Sequence, residues 1–241
     1  MKFITHGYTN VAGRANNEDY YLCEKNIWIL ADGLGGHDSG EIASKCASET
    51  IKKQYRLNKN NPLDDTLLSE LIQQANEAVV QKQDDNIALK SMRTTVVFAA
   101  TDGNKIRYAN VGDSRFYYFR SGSILVQSED HSVAAMSVKL GDITPDEIRS
   151  DPDRNKLIKA LGNSEKLNVK IPSTEIVPME GDAFMLCSDG FWEYVHETEM
   201  EIDLAKSDSP KEWIDYMVKR ILLKTGNVDN DNFTAVCVMI Q

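Results

Sequence analysis

The sequence predicts an α+β fold, with antiparallel sheets packed face to face and helices outside, on three observations. Asp102-Gly103-Asn104 and Ser121-Gly122-Ser123 each separate two strand-like runs, and turns that short join strands antiparallel. Apolar runs of strand length recur from Ile27 to Ala31 through to Thr234 to Ile240. Helical stripes come in blocks rather than between successive strands, which argues against a doubly wound parallel sheet.

Taken in order, Lys2 to Thr9 and Tyr20 to Glu24 are short and β-rich, and Ile27 to Ala31 reads as a strand ending at Asp32-Gly33. Ile42, Ala43, Cys46, Ala47 and Ile51 mark a helix from Gly40 to Tyr55, and Leu67, Leu68, Leu71, Ile72, Ala75, Ala78 and Val79 mark a second. Four strands follow: Arg93 to Thr101, Lys105 to Val111, Arg115 to Arg120 and Ile124 to Gln127. From Ser132 to Leu157 the pattern breaks into polar pieces around Thr144-Pro145 and Asp151-Pro152, which predicts a mobile surface excursion. Strands return near Val169 to Val177 and Ala183 to Cys187. Ser209-Pro210 then opens a helix striped by Trp213, Ile214, Met217, Val218 and Ile221, before the last strand. No linker or repeat divides the chain, so one domain over 1–241 is expected.

The charge excludes some functions. Against 37 Asp+Glu stand 27 Lys+Arg, a formal net charge of -10, which lacks the basic footprint needed for nucleic acid or an anionic membrane. No apolar run approaches the roughly 18 residues of a membrane span, and no signal-peptide core is visible, so a soluble, cytoplasmic protein is expected. Cys23, Cys46, Cys187 and Cys237 form no C-x-x-C and read as buried free thiols. The acidic balance also predicts that long-range steering favours substrates with basic flanks.

Five aspartates share a context. Asp19, Asp32, Asp113, Asp189 and Asp231 each stand at the boundary of a predicted strand, where a carboxylate is partly desolvated and costly unless a charge meets it. Asp-Gly and Asp-Asn are also ordinary turn chemistry, but five together point to a divalent cation, or two sharing a bridging carboxylate. All-oxygen ligands favour Mg²⁺ or Mn²⁺, and two such ions activate a water for in-line attack at phosphorus. Arg14, five residues before Asp19, has the planar fork that grips a phosphate. Asp32-Gly33-Leu34-Gly35-Gly36-His37 lacks both the Gly-Lys-Ser/Thr ending of a P-loop and the G-x-G-x-x-G of a dinucleotide fold.

Arg14-x-x-Asn17-Glu18-Asp19, Asp32-Gly33-Leu34-Gly35-Gly36-His37, Thr94-Thr95, Val111-Gly112-Asp113-Ser114-Arg115, Asp130-His131-Ser132, Ala160-Leu161-Gly162, Ser188-Asp189-Gly190 and Asp231-Asn232-Phe233-Thr234 come in this order over nearly the whole chain. That ordered set resembles the PPM (PP2C-like) serine/threonine phosphatases, and the compact form is similar to their bacterial branch. The resemblance implies an α-β-β-α sandwich of two antiparallel sheets flanked by helical pairs, with two Mn²⁺ or Mg²⁺ ions in a cleft at one end. It implies that Asp32 bridges the ions, that Glu18 and the Gly33 carbonyl serve one of them, and that Asp189 and Asp231 serve the other. Asp113, with Asp189, matches a third and weaker metal position; Asp19 would hold a metal-bound water and Arg14 the substrate phosphate. Direct attack of a metal-bridging hydroxide on phosphoserine or phosphothreonine would follow. Phosphoproteins are then the substrates, a Ser/Thr kinase the opposing enzyme, a monomer the working form, and residues 132–154 the family's variable flap.

Two departures from the family stand out. Leu34 occupies the position where eukaryotic members have a histidine proposed as general acid, while His37 reads as a structural histidine. Arg93 precedes Thr94-Thr95 where the family usually has glycine, so it alters local packing or adds a cation near the cleft. Two other functions compete: a non-catalytic phosphoprotein-binding module, and a phosphoesterase acting on small molecules.

Overall fold

The computed structural model describes residues 1–35, 39–164, 167–226 and 230–241. Its strands are β1 (Phe3–Asn10), β2 (Asp19–Glu24), β3 (Ile27–Leu34), β4 (Arg93–Thr94), β5 (Val96–Thr101), β6 (Ile106–Val111), β7 (Arg115–Arg120), β8 (Ser123–Gln127), β9 (Ala183–Cys187) and β10 (Phe233–Ile240). The helices are α1 (Gly40–Leu57), α2 (Asp65–Asp85), α3 (Val133–Leu140), α4 (Asp189–Trp192), α5 (Glu197–Ala205) and α6 (Pro210–Thr225). One sheet runs β1-β10-β9-β7-β8 and the other β2-β3-β5-β6, with β4 paired to β3. Every strand pairing is antiparallel.

The continuous apolar runs arise because central strands bury both faces, each in a different core. Ile27, Ile29 and Ala31 of β3 face α1 and α2, whereas Trp28 and Leu30 face the other sheet. Met185 and Cys187 of β9 face the opposite helical layer, and Phe184 and Leu186 meet Trp28 between the sheets. Trp28 and Phe184 pack edge to face at 4.9 Å, a geometry contributing ~1 kcal/mol beyond the area it buries. The result is the four-layer sandwich expected, with α1 and α2 on one outer face and α5 and α6 on the other. The Ser121-Gly122 turn takes φ of 53° and 81°, the doubly positive conformation that closes a two-residue hairpin.

Several expectations are corrected. β3 does not end at Asp32 but continues to Leu34, because β4 extends the ladder beyond it: Gly33 pairs with Thr94 and Leu34 with Arg93. The run Arg93 to Thr101 breaks at Thr95, whose hydroxyl rather than its carbonyl accepts the Asp32 N–H at 3.0 Å. Val169 to Val177 is not a strand. Pro172 has no N–H to give, and a single bridge from Ile176 to Ile106 covers that edge. α5 left no readable stripe, since only Met200 and Asp203 of its nine residues are buried. Cys187 and Cys237 are buried, but Cys46 is half-buried and Cys23 exposed on β2. The excursion after Ser132 is tied down: Arg149 pairs with Glu197 at 2.8 Å, Arg154 with Glu193 at 2.9 Å, and Ala134 and Ile148 join the core under α6.

Candidate active site

Antiparallel pairing of β2 with β3 sets Asp19 directly across from Asp32. Asp113 follows β6 after Gly112, whose φ of 100° turns the chain where any Cβ would meet the Thr95 side chain. Asp189 opens α4, and Asp231 lies two residues before β10. These segments come from both sheets and meet at one end of the sandwich. There Arg14, Glu18, Asp32, Gly33, Asp113, Asp189 and Asp231 line a single cavity of about 370 Å³. Leu34 is on its wall as well. Asp19 stands behind it, buried, and His37 lies outside the described residues.

Neutral polar groups hold the segments that carry the carboxylates in place, and the sequence did not reveal their partners. Ser188 donates to Asp19 Oδ2 at 2.9 Å and accepts the Thr234 N–H. Asn232 accepts the Glu18 N–H at 2.8 Å while its amide ties down the carbonyls of Val11 and Asn16. Thr95 shares a 2.7 Å hydrogen bond with Ser114. Each sits inside a motif already noted, but only the fold shows which atom it meets. Gly40, the first residue of α1, was also missed: a Cβ there would overlap the Glu18 carboxylate. The Arg115 and Asp130 of two further motifs form a buried ion pair at 2.7 Å, with the guanidinium stacked 3.5 Å from the Trp192 ring. Trp192 in turn donates to the Asp113 carbonyl at 2.9 Å.

The electrostatics are those of a set of anions short of cations. Burial pushes Asp19 up to about 7, reinforced by the charges of Asp189 and Asp231. Burial, then the charges of Asp19, Asp189, Asp113 and Asp231, holds Asp32 well above the ordinary carboxylate range. Asp113 is raised by burial and then by Asp189 and Asp130, and Asp189 by burial and then by Asp231. Arg14 grips Asp231 in a bidentate pair at 2.9 and 3.0 Å, so the predicted phosphate-binding arginine rests on a predicted metal ligand.

A divalent cation fits this set. Asp19 Oδ1 is buried with no hydrogen-bond partner. Asp32 and Asp189 line the same cavity, and burial together with neighbouring negative charge raises both, a repulsion that a bound divalent cation relieves. All the available donors are oxygens, the preference of Mg²⁺ and Mn²⁺. Among the described residues no three His, Cys, Asp or Glu side chains already stand as a finished ligand set.

A cavity of buried carboxylates at the end of two packed antiparallel sheets is the arrangement expected of a metal-dependent hydrolase. The family described as Protein phosphatase 2C matches residues 6–226, and the chain belongs to it. It is 32% identical over 240 residues to a serine/threonine phosphatase stp of Listeria welshimeri, covering 98% of this chain and 91% of that one. Against the serine/threonine protein phosphatase PstP of Mycobacterium tuberculosis the identity is 34% over 179 residues, 73% of this chain and 34% of the relative. The crystal structure of the M. tuberculosis phosphatase PstP/Ppp superposes with a TM-score of 0.87 at 26% identity, covering 100% of both chains. A PstP catalytic domain in complex with two manganese ions gives a TM-score of 0.81 at 25% identity, over 99% of both. No described helix is long and apolar enough to cross a membrane.

Proposed function

We propose that this chain hydrolyses phosphoserine and phosphothreonine in proteins. The observation that carries the reading is the convergence of Glu18, Asp32, Asp113, Asp189, Asp231 and Arg14 on one cavity. In this reading two Mn²⁺ or Mg²⁺ ions would be held by Glu18 and the Gly33 carbonyl on one side and by Asp189 and Asp231 on the other, with Asp32 serving both, and Asp113 with Asp189 would offer a third position. When bound, the ions supply Lewis acidity at the phosphate oxygens and lower the pKa of a water between them. Asp19, buried and partnered on only one oxygen, would hold a water through its Oδ1. Arg14 exchanges Asp231 for the substrate phosphate, a like-for-like swap of one bidentate oxyanion for another. Leu34 offers no proton, so protonation of the leaving group would fall to another group, water among them.

The whole chain acts as one catalytic domain and a monomer, with residues 132–154 as the flap beside the cavity. A phosphate monoester on serine or threonine has to be installed before it is removed, so the opposing enzyme is a Ser/Thr kinase. Four free thiols suit a reducing compartment, the cytoplasm. The test is phosphate release from phosphoserine and phosphothreonine peptides with Mn²⁺, compared with nucleotides and sugar phosphates. Release that is peptide-selective and stopped by EDTA is expected; faster turnover of small phosphates would overturn the reading. Gly40→Ala should displace the Glu18 carboxylate and weaken Mn²⁺ binding by about 10- to 100-fold in calorimetric titration. Unchanged affinity would remove Glu18 from the ligand set.

A further inference from the structure

A second cavity, of about 350 Å³, adjoins the first and shares Leu34, Gly35 and Leu157 as common wall. Among the described residues that line it, Arg93 is the only charged one. Antiparallel pairing sets Arg93 directly across from Leu34, two residues beyond Asp32 on the same strand. Its side chain is held in place. A Cβ on Gly162, where φ is 96°, would come 3.0 Å from Arg93 Cδ, so the stem lies against that glycine backbone. Nη1 donates to the carbonyls of Met92 at 2.9 Å and Lys90 at 3.4 Å. No described carboxylate pairs with this guanidinium, in contrast to Arg14, which Asp231 occupies on both nitrogens. A half-buried arginine fixed by two carbonyls retains N–H groups free to bind an anion.

We propose that this cavity is a subsite for an acidic side chain flanking the phosphorylated residue, with Arg93 as the specificity-determining group. The proposal rests on the phosphatase reading above. It runs against the long-range field: a net charge of -10 repels acidic peptides at a distance, whereas a fixed guanidinium in a shared cavity rewards a carboxylate on contact. The two effects separate at 0.15 M salt, where screening over about 8 Å leaves the contact.

The experiment measures kcat/KM with Mn²⁺ at that salt for paired phosphopeptides that differ only by Glu or Gln beside the phosphoresidue, with an aryl phosphate alongside. Wild type should favour the Glu peptide about five- to tenfold, chiefly through KM, as expected for one charge-assisted hydrogen bond. In Arg93→Gln the Glu-to-Gln ratio should fall to about one, and Arg93→Lys should restore part of it. The ratio is independent of how much of a variant is folded, so partial misfolding does not blur the answer. Equal turnover of both peptides by wild type, or an unchanged ratio in Arg93→Gln, overturns the subsite while leaving the phosphatase reading intact. Failure of wild type to hydrolyse even the aryl phosphate overturns both.

Discussion

Asp32→Asn is expected to abolish Mn²⁺-dependent phosphate release while making the metal-free protein more stable, and the two effects have one cause. Asp32 lies within β3 at the centre of the carboxylate set, across from Asp19. Burial and four neighbouring negative charges hold its proton on. An amide of the same shape carries no charge to desolvate or repel, so a higher Tm is expected without metal. In the proposed reading the same change would also remove the ligand shared by the two ions. Loss of several kcal/mol of transition-state charge stabilisation lowers turnover about 10³-fold or more. Thermal unfolding in EDTA and turnover in Mn²⁺ read the two halves separately. A lower Tm in EDTA would show that Asp32 serves mainly as a structural hydrogen-bonding group.

The second large effect is on pH and metal together. Asp19, Asp32, Asp113 and Asp189 are raised, chiefly by burial, and Glu193 is pushed up to about 7 by burial and then by Asp189. Groups with raised folded-state pKa values keep protons that the unfolded chain has released. Their stability is therefore present below about pH 4 and lost as pH rises through the folded values, near 7 for Asp19 and Glu193. His131, kept neutral by burial, acts in the opposite sense, but it is one group against five. The metal-free protein should therefore lose Tm from pH 5.5 to pH 8. Mn²⁺, which needs the carboxylates ionised, should raise Tm far more at pH 8 than at pH 5.5. A Tm increment that is flat with pH or larger in acid would falsify this account of the cavity.

The outer architecture was legible because it rests on local rules. Ser209 caps α6 with its hydroxyl on the Glu212 N–H at 3.2 Å, as Ser-Pro before an apolar stripe predicts. The stripes of α1, α2 and α6 are the faces buried against the sheets. The misreadings have local causes too. Asp32 looked like a strand end because a polar residue after a run of five apolar ones normally leaves the sheet; here Thr94 and Thr95 catch its backbone with their hydroxyls. α5 was invisible because a short helix with two buried positions has no period to detect.

The site divides in the same way. By itself the sequence nominated the candidate site residues: Asp19, Asp32, Asp113, Asp189 and Asp231 by their place at strand boundaries, Arg14 by its guanidinium, and Glu18 through the family resemblance. It also determined the alternation that buries both faces of the central strands. Only the tertiary structure decided how those residues meet. Pairing across β2 and β3 set Asp19 against Asp32, and the glycines at 40 and 112 made room for Glu18 and for Thr95. The fold joined Arg14 to Asp231 across 217 positions and turned Arg93, a lone departure in the sequence, into the cation of an adjoining cavity. The physical reason is range. Propensity and periodicity act over a few residues, whereas burial, charge repulsion and close backbone approach depend on which distant segments the sandwich brings together.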